Sequence, residues 1–410
     1  MNQHRLYRTI KELGETKFRT EDQLLSYVLE NIIKNEEIPI RGGRIWKLEP
    51  NTGKYRLLKQ SGDIDLIDKT FRLNVEDYPP FRDLHKRGTI VATETNKYLR
   101  AKGIRLYSAT GFGEKAPWKS YLLYQYVMGI NADFLKYDRT YALNIIGHAL
   151  TSALRNRRFE SKASQLEADI DKAREIQRSI LPEHEHKFQN FEIYGVSIPD
   201  RVVGGDFFDY LSAADDRDRL GVVIGDAASK GLSAAAQALY VSGALRMGVE
   251  YHTKIGSLVT RVNQLVNRTF SAEHFISMVY VELTNAERGL LLYVNAGHNN
   301  PILFRTATEQ TEFLPSTGHL IGPFPNEKYW SDFALMSKGD ILLLYTDGIV
   351  EAVNERQEMF GEQRLIQALR THKARTPKEI CQLILEEVQV HSTSAPYSDD
   401  KTLVVIKRAR

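Results

Sequence analysis

Four aspartates in the second half of the sequence stand where a carboxylate can project freely: beside glycine, beside another acid, or at the end of an apolar run. Asp206 follows two glycines in GGDFFDY, and Gly204 and Gly205 permit tight backbone there. Asp226 closes the apolar run of LGVVIGDAASKG, which reads as a buried strand delivering the acid into a small-residue loop. Asp347 ends GDILLLYTD and is followed by Gly348, while Asp399 stands with Ser398 and Asp400 ahead of the apolar TLVVI. An isolated Asp-Gly after a strand is ordinarily a turn. Four acids at strand ends in one domain are harder to explain that way, because carboxylates brought together repel unless a cation neutralises them. All-oxygen donors without a His or Cys cluster select hard ions, Mg²⁺ or Mn²⁺, rather than zinc.

Other chemistry-bearing residues fit bland roles. Cys381, the single cysteine, lies in the helical stretch EICQLILEEV and reads as a small core residue, which excludes disulfides within the chain. His298 in NAGHNNP is the one histidine beside a motif; it stabilises a turn or assists leaving-group protonation. With 55 basic against 52 acidic residues and a net charge of +3, nothing calls for a nucleic-acid or membrane partner, and Lys407, Arg408 and Arg410 read as a solvated end. The polar start and the absence of any long apolar run predict a cytoplasmic protein with no membrane span.

The elements that must position these residues form an α+β chain of three parts. Leu24, Leu25, Val28, Leu29, Ile32 and Ile33 make a helical stripe over 21–38 that ends before Pro39. A hairpin follows around Pro50, Asn51, Thr52 and Gly53, with further strands expected over 89–93 and 120–130 and a closing helix over 138–154. Phe159, Ala163, Leu166, Ile170, Ala173, Gln177 and Ile180 alternate spacings of four and three, the seam of a short coiled coil, and Pro182 stops that helix at Leu181. Either the seam joins two copies as a parallel homodimer or the helix packs on its own domain.

The residues so placed carry two resemblances. Residues 1–154 resemble a GAF sensor domain in layout, with the stretch from Phe134 to Ser161 similar to the closing GAF helix. That resemblance implies a pocket for an unknown small ligand or a protein input; Trp118, Tyr121, Tyr124 and Tyr126 either line it or pack the core. In the C-terminal half the ordered motifs AREIQRSILPE, VVGGDFFDY, GDAASKG, NAGHNNP, GDILLLYTDGIVEAVNERQEMFGEQRL and DDKTLVVI resemble the SpoIIE-type, RsbU-like branch of the PPM protein phosphatases. The domains then run 1–154 (GAF-like sensor), 155–182 (helical coiled-coil linker) and 183–410 (PPM-type α-β-β-α sandwich).

The PPM resemblance implies a protein serine/threonine phosphatase with two divalent cations, Mn²⁺ or Mg²⁺. By motif position Asp206, Asp226, Asp347 and Asp399 would be catalytic and bind the metals, with the Ala227 carbonyl as a further ligand. Asp400 would bind a metal or orient its water, and Arg201 would hold the substrate phosphate. Water activated between two cations would attack the phosphate in line, with no covalent phosphoenzyme. The implied substrate is a phosphorylated STAS-type regulatory protein, an anti-sigma-factor antagonist in a partner-switching pathway. One departure stands out: Ser229 occupies the position where the family pattern has glycine. If that position needs left-handed backbone, Ser229 costs about 1 kcal/mol and reshapes the loop. The alternatives are a weak or inactive PPM-fold module that sequesters a partner, and a hydrolase of small phosphoesters.

Overall fold

The computed structural model describes residues 3–16, 18, 20–34, 40–132, 138–200, 202–251, 253–271, 273–285, 288–393 and 399–409. They divide into two compact units, residues 1–165 and 166–410.

The first unit opens with α1 (Gln3–Glu15) and α2 (Glu21–Ile33). Thr20 starts α2 with a capping box: its side chain accepts from the Gln23 N–H while the Gln23 side chain accepts from the Thr20 N–H. The expected extension of α2 to residue 38 falls on 35–39, outside the described residues. The predicted hairpin is present as β1 (Ile40–Glu49) and β2 (Lys54–Gly62), turned by Gly53 at φ 63°. Then come β3 (Arg72–Asn74), α3 (Leu84–Arg87), β4 (Thr89–Thr93), α4 (Lys97–Ala101), β5 (Leu106–Trp118) and β6 (Tyr121–Ala132). All six strands form one antiparallel sheet, ordered β3-β2-β1-β6-β5-β4.

Both faces of that sheet are buried. Ile45, Phe112, Tyr126 and Met128 pack with the α2 stripe and with Leu143, Ile146 and Leu150 of the closing helix. Trp46, Leu48, Tyr78, Phe81 and Tyr107 pack on the opposite face. The closing helix α5 (Asp138–Ile180) continues past Leu154 without a break and ends at Ile180, one residue before the expected stop at Leu181 and two before the end of the predicted linker. Of the predicted seam, Phe159 and Leu166 are exposed, whereas Gln177 is buried.

The second unit is a mixed α/β sandwich. Its elements are β7 (Glu185–Phe188), β8 (Phe191–Ile198), β9 (Phe207–Leu211), β10 (Arg219–Ala227), α6 (Leu232–Val249), α7 (Ile255–Thr269), β11 (Ile276–Thr284) and β12 (Leu290–Ala296). They continue with β13 (Ile302–Arg305), β14 (Gln310–Phe313), β15 (Asp332–Leu335), β16 (Ile341–Tyr345), α8 (Asp347–Val350), α9 (Gly361–His372), α10 (Pro377–His391) and β17 (Lys401–Arg408).

Two antiparallel sheets face each other, ordered β15-β12-β11-β10-β9 and β14-β13-β16-β17-β8-β7. Strand periodicity explains the four layers. On β10, Val222 and Ile224 enter the core between the sheets, while Val223 faces outward against α6 and α7. On β17, Val404 and Ile406 point between the sheets, and Leu403 and Val405 meet α9 and α10. Cys381 is fully buried in that outer layer, where burial pushes its thiol pKa up, in keeping with a packing role. Among the described residues no helix is long and apolar enough to cross a membrane.

Candidate metal and catalytic site

Each candidate aspartate lies at one end of a strand in the two facing sheets. Asp206 immediately precedes β9, Asp226 and Ala227 end β10, and β9 pairs with β10 in one sheet. In the facing sheet Asp347 follows β16 and opens α8, while Asp399 and Asp400 precede β17, which pairs with β16.

Hydrogen bonds tie the two sheets together at this edge. The Thr346 hydroxyl donates to Asp206 Oδ2 at 2.7 Å and accepts from the Thr402 N–H at 3.0 Å. Asp400 Oδ2 accepts from the Gly205 N–H at 2.7 Å and its Oδ1 from the Asp200 N–H at 2.8 Å, so this acid anchors the loop that presents Asp206. The glycines around it are required by space. A Cβ on Gly204 would lie 2.4 Å from Asp400 Oδ2, and one on Gly348 would lie 2.0 Å from the Asp400 carbonyl. From α5, the Gln177 side chain donates to the Gly204 carbonyl at 2.8 Å and accepts from its N–H at 3.4 Å.

Electrostatics show how uneasy this assembly of acids is. Asp206 is 4% exposed. Burial, reinforced by Asp226, holds its pKa well above the carboxylate range, against the hydroxyl bond from Thr346. Asp226 is pushed up to about 7 by burial and by the charges of Asp347, Asp399 and Asp400. Asp347 is raised by burial and Asp399, opposed by the Gly348 N–H and Lys230. Lys230 forms an ion pair with Asp399 at 3.1 Å. Glu351, one turn beyond Asp347, is also raised, by burial and then by Asp347 and Asp399.

Among the described residues no three Asp, Glu, His or Cys side chains approach closely enough to form a ready-made metal cage. The donor set nevertheless suits divalent cations: buried carboxylates whose charges raise one another's pKa are what a hard cation relieves. The Ala227 carbonyl accepts from the Ser229 N–H at 2.7 Å and faces Gly205, whose absent Cβ would lie 2.9 Å away.

Arg201 lies outside the described residues, as does Ser398. Ser229 is not among the residues with positive φ; the left-handed position in this loop belongs to Gly231, at φ 71°. The strain anticipated for Ser229 is therefore absent, and its hydroxyl accepts from Gln237 at 2.9 Å. His298 is 6% exposed, with Nδ1 2.7 Å from the Ser277 hydroxyl and its N–H donating to Asn295 Oδ1 at 2.9 Å. Burial pushes its pKa down to about 4, so it is a neutral turn histidine beneath the strand ends.

Sequence reasoning missed Thr346, Gln177, Lys230 and Glu351. Thr346 and Lys230 lie inside motifs already singled out, YTDG and ASKG, where a polar residue beside an acid was the available signal.

Comparison with known proteins agrees with this architecture. Residues 216–409 match the family model of Stage II sporulation protein E (SpoIIE). Protein IcfG of Synechocystis sp. is 29% identical over 266 residues, 58% of this chain but 41% of IcfG, so the match spans less than half of that relative. Phosphoserine phosphatase RsbU of Bacillus subtilis is 24% identical over 253 residues, covering 60% of this chain and 71% of RsbU. The SiaA-PP2C domain of Pseudomonas aeruginosa superposes with a TM-score of 0.52 at 20% identity, covering 60% of this chain and 98% of that domain. The SpoIIE match does not reach the N-terminal unit. With its two facing sheets and flanking helices, the C-terminal unit shares the fold of the SiaA-PP2C domain and is similar in sequence to the SpoIIE family and to RsbU.

Proposed function

We propose that this chain is a signal-regulated, metal-dependent phosphatase that removes phosphate from phosphoserine or phosphothreonine on a partner protein. The observation that carries this reading is the gathering of Asp206 and Asp226 from one sheet beside Asp347, Asp399 and Asp400 from the other, so close that burial and then one another's charges raise the pKa of Asp206 and Asp226. Asp206, Asp226, Asp347, Asp399 and the Ala227 carbonyl would hold two divalent cations, Mn²⁺ or Mg²⁺. When bound, such a pair supplies a water activated near neutral pH and neutralises charge on the phosphate.

The chain's own residues prepare that chemistry. Thr346 orients Asp206, and Asp400 fixes the Gly205 loop by accepting two backbone N–H groups. Arg201, five positions before Asp206, would hold the phosphate. His298 is buried with its Nδ1 bonded to the Ser277 hydroxyl, which supports a turn-stabilising role over leaving-group protonation. The ordinary backbone at Ser229 supports an active enzyme over a weak or inactive binding module.

The substrate we favour is a phosphorylated STAS-type regulatory protein in a partner-switching pathway. The N-terminal unit would act as a GAF-like sensor, and the exposed Phe159 and Leu166 of α5 would pair with a second copy to make a homodimer. The test is Mn²⁺-dependent hydrolysis of a phosphorylated STAS protein and of p-nitrophenyl phosphate by the wild type, Asp226→Asn and Asp347→Asn. Losses of at least 100-fold in both variants are expected; equal rates in all three overturn the reading.

A further inference from the structure

Lys230 sets a positive charge beside the acids. It lies in the loop between β10 and α6, four positions after Asp226, and its ammonium is 3.1 Å from Asp399 Oδ2. Its charge also reaches Asp347, drawing down a pKa that burial and Asp399 raise. Both of these acids stand at strand ends of the facing sheet, so the side chain bridges from one sheet to the other.

The backbone on either side of Lys230 is fixed. The Ala228 N–H donates to the Phe275 carbonyl at 2.8 Å, the Ser229 N–H donates to the Ala227 carbonyl at 2.7 Å, and Gly231 turns the chain into α6 at φ 71°. The head group is less constrained. The Lys230 side chain is 43% exposed and that of Asp399 39%, and an ion pair as wet as this contributes little to folding and opens without disturbing its surroundings. A flexible four-carbon stem on an anchored loop delivers the ammonium to Asp399 and lets it leave.

The position of this charge matters because of what it touches. Asp399 is one of the carboxylates proposed above to hold a divalent cation, and the loop that carries Lys230 also carries Asp226 and the Ala227 carbonyl. An ammonium on Asp399 answers the carboxylate as a metal ion does, with one positive charge in place of two. The two cannot share Asp399, because like charges at contact distance in a partly desolvated site repel strongly. An ordinary surface ion pair has no such rival.

We infer that Lys230 is a built-in competitor for the cation position on Asp399. Its ammonium holds that carboxylate until a divalent ion displaces it, so Lys230 raises the metal concentration at which the position fills. This rests on the metal-dependent reading above and adds to it a control on occupancy, which is measured from binding rather than from turnover.

The test is calorimetric titration of the full chain, stripped with EDTA and dialysed, with Mn²⁺, for the wild type, Lys230→Met and Lys230→Arg. Bound ions are counted from the loss of the free Mn²⁺ paramagnetic resonance signal. The wild type should take up two Mn²⁺ ions, one more weakly than the other. Lys230→Met should tighten the weaker event at least tenfold and the stronger by less, whereas Lys230→Arg, which keeps the charge, should stay within about threefold of wild type. With Asp399→Asn added, Lys230→Met should no longer have this effect. Unchanged or weaker Mn²⁺ binding by Lys230→Met, an equal gain in Lys230→Arg, or a gain that survives Asp399→Asn each overturn the inference and leave the metal-dependent reading standing. A wild type that binds no Mn²⁺ overturns both.

Discussion

Replacing Asp226 by asparagine should stabilise the metal-free protein at alkaline pH while destroying its response to metal. The Asp226 pKa rises from the ordinary 3.8 to about 7 in the folded chain. A raised carboxyl pKa means that folding favours the protonated form; the associated stability is fully present below the unfolded pKa and is lost as pH climbs through the folded value. One site shifted this far corresponds to about 4 kcal/mol at pH 8. Because the neighbouring acids titrate together, and asparagine changes local hydrogen bonding, a net gain of about 1–3 kcal/mol is the reasonable expectation. For a unit of this size that is a rise in melting temperature of about 3–10 °C. The assay is thermal unfolding of wild type and Asp226→Asn in EDTA at pH 5 and pH 8, then with Mn²⁺. The variant should melt slightly higher at pH 5 and clearly higher at pH 8, and Mn²⁺ should raise the wild type but not the variant. A variant that melts below wild type at pH 8 in EDTA would refute the reasoning, since the carboxylate would then be supporting the fold rather than straining it.

Gly204→Ala places a methyl group 2.4 Å from Asp400 Oδ2 and should displace the acid that anchors the Gly205 N–H. The Mn²⁺ concentration giving half-maximal thermal stabilisation should rise at least tenfold. Ser229→Gly relieves no left-handed strain and removes a hydroxyl that accepts from Gln237, so activity should stay within about twofold and stability should fall by about 1 kcal/mol in urea unfolding. A large gain in activity would show that the serine does restrain the loop.

The acids were readable because Asp226 and Asp347 close apolar runs of strand length while Asp206 and Asp399 precede such runs, and the strand periodicity that buries Val222 and Ile224 on one side and Val223 on the other marks the run that Asp226 closes. Their convergence from two different sheets was not readable from spacing; it rests on Thr346 and Asp400, whose partners are remote in sequence. Gln177 shows a second limit. Its position in a repeat of fours and threes is the same whether the helix meets another copy or its own domain, and here it bonds Gly204. In the first unit, the pairing of β5 with β6 is irregular between Phe112 and Lys115, with Gly113 at φ 83°. A bulge shifts the phase of alternation, so Tyr124 and Tyr126 fall on opposite faces although two positions apart.

The placement of β17 between β16 and β8 has a consequence for how the molecule is made. β8 pairs with β17 along its whole length, and the Asp200–Asp400 hydrogen bond spans 200 positions of chain. A ribosome delivers β8 long before its neighbour exists, so that strand keeps an open edge while nearly all the rest of the unit is made, the circumstance in which nascent chains go astray. The carboxylate that steadies the Asp206 loop, Asp400, arrives only just ahead of that neighbour. A chain released early, even one carrying Asp206, Asp226 and Asp347, would lack both the central strand of its second sheet and the anchor of its first loop, so the acidic centre comes together only after nearly the whole unit has been synthesised.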